Sequence, residues 1–83
     1  MASAAEMKVK VASAVADAQQ AQQALFGAIQ KINDAISVLV TVSDNAVLME
    51  AISALRNADQ EITTATNEIT RAADRANAYA APL

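Results

Sequence analysis

Along the chain, apolar residues recur at alternating intervals of three and four, with one interruption at Ser43-Asp44-Asn45. Before the break one set of positions reads Val11, Ala18, Leu25, Ile32 and Leu39, and the set beside it reads Met7, Ala14, Ala21, Ala28, Ala35 and Val42. After the break come Leu48, Ala51, Leu55, Ala58, Ile62, Ala65, Ile69, Ala72, Ala76, Tyr79 and Leu83. About five heptads on each side predict two helices packed along a seam. The fold expected is all-α, an antiparallel two-helix hairpin built as an alanine-rich coiled coil. It forms one domain over residues 1–83, with helix one at about 4–42, the turn at 43–45 and helix two at about 46–79. At 1.5 Å per residue the first helix spans roughly 60 Å.

The ends of these helices carry their own signals. Ser3 stands three residues before Glu6, the spacing of a capping box. Thr41-Val42-Ser43-Asp44-Asn45 is the one mid-chain cluster of turn and capping types, and Ser43 or Asp44 can accept from the first amides of helix two. A link this short makes the helices antiparallel neighbours. Arg71 and Arg75 lie towards the negative end of the second helix, and Pro82 blocks its extension.

Folding the chain about position 45 pairs residues equidistant from it. Leu39 then meets Ala51, Ala35 meets Leu55, Ile32 meets Ala58 and Ala28 meets Ile62, one large side chain against one alanine in each layer. Such layers allow helix axes to approach towards the close end of the usual 8–10 Å. The same register sets Lys31 near Glu61 and Asp17 near Arg75, exposed pairs worth about 0–1 kcal/mol each and useful as evidence of register. On the other flank Ile36 falls opposite Ile52 and Val15 opposite Ala73, with Ile29 and Phe26 close by. Val38, Val40, Val47 and Met49 add apolar bulk near the turn. Phe26, Ile29, Ile36, Val38, Val40, Val47, Met49 and Ile52 are therefore the expected partner-binding residues, on a strip that the hairpin alone leaves uncovered. The expected occupant is a second copy, giving a homodimeric four-helix bundle, or else a helical protein client.

Composition sharpens this picture more by exclusion than by addition. The chain has 83 residues and is 54% hydrophobic, but 22 of its residues are alanines. Alanine favours helix strongly yet contributes little burial energy, so a core of this size calls for partners. A net charge of −3, with the six Lys and Arg scattered, argues against nucleic-acid binding. Without His or Cys the common metal ligands, general base and thiol nucleophile are missing. Asp17, Asp34, Glu50, Asp59, Glu61 and Glu68 fall off the expected seam and read as a solvated face. No catalytic, metal or cofactor site is expected, so the chain reads as a non-enzymatic module. The apolar window Ile29 to Ile52 is cut by Lys31, Asp34, Asp44, Asn45 and Glu50, too interrupted for a membrane span. The acidic residues near the turn also disfavour its insertion into a bilayer. The N-terminus lacks the basic-then-apolar order of a secretory signal, so the expectation is cytoplasmic synthesis, with any export using a route that needs no signal peptide. Gly27, on the outer face of helix one, reads as a tolerated surface glycine that weakens the helix by about 1 kcal/mol.

In length, central turn and alanine-rich heptads the whole chain resembles the small signal-less helical hairpins of bacterial type VII secretion, the WXG-type proteins and the helical partners of larger secreted toxins. Its turn reads Val42-Ser43-Asp44-Asn45 in place of that family's Trp-x-Gly, Phe26-Gly27 falls in mid-helix, and Tyr79 is followed four residues later by Leu83 and not by an acid. No functional residue is carried over on this basis. What the resemblance implies is a secretion-associated partner or adaptor that pairs helix to helix with a client. A structural subunit of a larger helical assembly, such as a filament or phage component, is the alternative expectation.

Overall fold

The computed structural model describes residues 3–42 and 45–83, and within them the chain is two long helices and no strand. Helix α1 spans Ala4–Val40 (37 residues) and α2 spans Ala46–Ala80 (35 residues). Packed side by side, they make a rod with extents of 62 × 17 × 14 Å. Its radius of gyration of 18.8 Å far exceeds the ~12 Å of a compact chain of this length.

Both helix starts are capped by side chains. The Ser3 hydroxyl accepts from the Glu6 amide at 3.1 Å and its carbonyl takes the Met7 amide at 3.0 Å, with Glu6 placed at the positive end of the dipole. At the turn the expected caps, Ser43 and Asp44, lie outside the described residues. The cap of α2 is Asn45, which has an extended backbone; its side-chain oxygen accepts the Val47 amide at 2.8 Å and its carbonyl the Met49 amide at 3.1 Å. Helix α1 stops two residues short of the expected Val42, because the Thr41 and Val42 amides turn back to the Val38 and Leu39 carbonyls in tightened i to i−3 bonds. The Thr41 hydroxyl also donates to the Val38 carbonyl at 2.6 Å, competing with continued helix. At the other end α2 runs one residue beyond Tyr79. There the Ala81 amide reaches the Asn77 carbonyl at 2.9 Å before Pro82 ends the series.

The expected fold about position 45 is visible in one residue. The Gln22 side-chain amide donates to the Thr66 carbonyl at 3.2 Å and to the Thr70 hydroxyl, two acceptors a helical turn apart. Their midpoint is as far beyond Asn45 as Gln22 is before it. The seam itself is rotated from the expected one. In α1 the half-buried series is Val11, Val15, Ala18, Gln22, Leu25, Ile29, Ile32, Ile36 and Leu39, again at spacings of four and three, with Met7 and Ala28 half-buried at its margin, while Ala14, Ala21 and Ala35 are exposed. In α2 the series Leu48, Ile52, Leu55, Asp59, Ile62, Thr66, Ile69, Ala73, Ala76 and Ala80 is buried or half-buried. Ala51, Ala58 and Ala65 sit at its margin, and Ala72 and Tyr79 are exposed.

Large side chains therefore do not face alanines layer by layer. Turning each helix by roughly 50° about its axis carries the alanine stripe outward and brings Val15, Ile29, Ile36 and Ile52 inward. Burying such side chains gains roughly 1.5–3 kcal/mol each against well under that for an alanine methyl, and this decides the rotation. Polar residues come in with them. Asp59, expected on a solvated face, sits half-buried in the seam, and its Oδ1 is buried with no hydrogen-bond partner. Thr66 is 6% exposed and satisfies its hydroxyl on the Ile62 carbonyl at 2.9 Å. The expected Lys31–Glu61 and Asp17–Arg75 pairs are not made within the chain, and all four side chains are exposed.

Candidate interaction surface

The rotated seam divides the eight expected partner-binding residues into three groups. Ile29, Ile36 and Ile52 are seam residues: Ile52 is 6% exposed and the other two are half-buried, so the hairpin covers them itself. This corrects the expectation that they form an uncovered strip. The reason is that the series Val15, Gln22, Ile29 and Ile36 turns towards α2 and not to one side.

Of the remainder, Phe26, Val40 and Met49 occupy one flank. Val40 and Met49 share the wall of a shallow groove with Ile52, Ser53 and Arg56, which fixes their side of the hairpin. At the open end the same flank holds a second shallow groove lined by Lys8, Val11, Ala12, Asn77, Ala80 and Ala81. Phe26 follows by periodicity, two heptads before Val40, and is 54% exposed. Polar side chains separate these apolar ones: Arg56, Thr63 and Thr70 recur at heptad intervals along α2 on this side.

Val38 and Val47 point to the opposite flank, at 66% and 70% exposure. Val42, which the sequence places on the seam, joins them there as an exposed residue. The floor of this second flank is the alanine stripe at the margin of the seam, with half-buried Ala28 and exposed Ala35 from α1 beside half-buried Ala51 and Ala58 from α2, and with Tyr79 exposed on the same α2 row at the open end. Both rows bound the same side of an antiparallel pair, since the residues lining the two grooves bound the other. Charge is confined to the flank's outer edges, with Asp17 and Lys31 along α1 and Glu61 and Arg75 along α2. Gln22, a seam residue that composition alone hides, is legible only as the member of the series Val15, Gln22, Ile29 and Ile36 at their common spacing.

Little else in the molecule has the character of a site. Among the described residues no group of three or more His, Cys, Asp or Glu is placed to hold a metal ion. Among the same residues no helix is long and apolar enough to cross a membrane. Two further surface depressions lie along α2, around Arg56, Asp59, Gln60, Thr63 and Thr64 and around Asn57, Gln60, Glu61 and Thr64. No family model matches the chain, and neither a curated protein nor a solved structure matches it.

Proposed function

We propose that this chain is a helix-mediated interaction module that works by self-association, two hairpins joining into a four-helix bundle. The observation that supports this is a surplus of surface. A compact protein of 8.6 kDa exposes about 4,700 Å². The hairpin exposes 6015 Å², and among the described residues only Ile52 and Ala80 are buried apolar side chains. A two-helix rod has no second layer to cover its flanks, and five large exposed aliphatics, Val38, Val40, Val42, Val47 and Met49, crowd the turn end. Adaptor work of the kind implied by the likeness to type VII hairpins would use the same helix surfaces on a helical client.

Light scattering and thermal melting across a concentration series test the proposal. A dimer mass, with a melting midpoint that rises with concentration, is the expected result. A strict monomer at tens of micromolar, melting at one temperature throughout, would overturn it. A second reading, a subunit of an open-ended helical assembly, is favoured by the presence of exposed apolar side chains on both flanks. Electron microscopy separates the two readings, because concentration-driven polymers belong to the second and discrete particles to the first.

A further inference from the structure

We infer that the second copy docks on the flank bearing Val38, Val42 and Val47, with both turns at the same end of the dimer. This inference rests on the self-association reading and adds to it a face and an orientation. Three observations carry it. The first is area. A flank 62 Å long and at least 14 Å across presents roughly 900 Å², close to the ~800 Å² that each partner buries in a standard interface. It is smaller than the ~1,300 Å² by which the chain exceeds a compact protein.

The second observation is the floor. Alanines between the two charged edges let another pair of helices approach closely, and the valines at the turn end supply the larger apolar contacts. The groove flank has no such floor, because Arg56, Thr63 and Thr70 stand on it.

The third is charge, which selects the orientation. Lys31 and Glu61 stand at nearly one level on opposite edges of the flank, as do Asp17 and Arg75, and none of the four makes an ion pair among the described residues. Rotating a second hairpin by a half turn about the rod's long axis lays its α2 over α1 of the first. Lys31 then comes beside Glu61 of the second copy and Asp17 beside Arg75 of the second copy, each pair formed twice by the two-fold axis. The valines of the two turns meet at the same end. The end-for-end arrangement instead brings Glu68 of each copy together near mid-rod. Opposite charges in register, with like charges kept apart, fix orientation in such interfaces.

Two measurements on the full chain test this. Since the chain has no cysteine, Glu50→Cys, on the outer face of α2, takes one spin label per copy away from both flanks. Labels about 30 Å apart are expected for turns at the same end, and about 50 Å for the end-for-end dimer. In parallel, Val47→Asp is expected to weaken dimerisation by roughly tenfold or more, with circular dichroism showing the helices retained, whereas Met49→Asp on the other flank leaves it near the parent value. A dimer with the longer label distance, or one broken by Met49→Asp and not by Val47→Asp, overturns the inference and leaves self-association standing. A chain monomeric under all conditions overturns both, and the flank then belongs to a different occupant.

Discussion

The two halves of the rod are built differently although their helices are continuous. Towards the turn the seam is filled by Ile29, Ile32, Ile36 and Leu39 of α1 and by Leu48, Ile52, Leu55 and Ile62 of α2. Towards the open end it holds Val11, Val15 and Ala18 against Ala73, Ala76 and Ala80, with Gln22, Thr66 and Thr70 bridging the helices near the boundary. Apolar bulk therefore declines from turn to terminus, while the backbone geometry stays the same. Helical periodicity sets the shape of such a hairpin, but the cohesion along it is local and follows side-chain volume.

The comparison breaks most clearly at Ile52, the most buried large side chain in the turn half. Ile52→Ala should cost about 2–5 kcal/mol in chemical denaturation at fixed protein concentration. Val15→Ala in the open half should cost about 1 kcal/mol, since fewer methyl groups leave a half-buried site. Equal costs at the two sites would remove the distinction between the halves. Asp59→Leu sharpens it in the opposite sense. Replacing a carboxylate whose buried oxygen lacks a partner is expected to stabilise the hairpin by about 1–3 kcal/mol, read as a higher denaturation midpoint.

A smaller effect is expected at Gln22, which joins the helices where aliphatic packing thins out. Gln22→Ala should cost about 1 kcal/mol. Amide exchange should quicken from the open end as far as Thr66 and stay unchanged near Ile52. The smallest effect belongs to Gly27, where an added Cβ would meet nothing within 4 Å and the backbone is already helical. Gly27→Ala is expected to add about 0.5–1 kcal/mol and raise the melting midpoint by a few degrees.

The hairpin, its length and its fold about position 45 were legible because the alternation of three and four holds through both arms. The facing of each helix was not, and the reason is specific. Two series run one residue apart through each arm: Ala14, Ala21, Ala28 and Ala35 beside Val15, Gln22, Ile29 and Ile36, then Ala51, Ala58 and Ala65 beside Ile52, Asp59 and Thr66. Unbroken alanine looks like a seam, whereas a series interrupted by Gln22, Asp59 and Thr66 looks like a solvated margin. Burial energy decides for the interrupted series because its isoleucines and valine outweigh its polar members once Gln22 and Thr66 find partners in the other helix and in their own. That rotation moved Ile29, Ile36 and Ile52 out of the candidate surface and left Phe26, Val38, Val40, Val47 and Met49 exposed on two separate flanks.

The heavier packing beside the turn also bears on how the chain finds its shape. Ile36 and Ile52 lie about sixteen residues apart along the backbone and Val11 and Ala80 about sixty-nine, a difference in loop-closure entropy of roughly 1.3 kcal/mol. The contacts with the most to gain are thus also the cheapest to bring together. Folding is therefore expected to start at the bend and to zip outward, with the Val11 and Ala80 end the last to close.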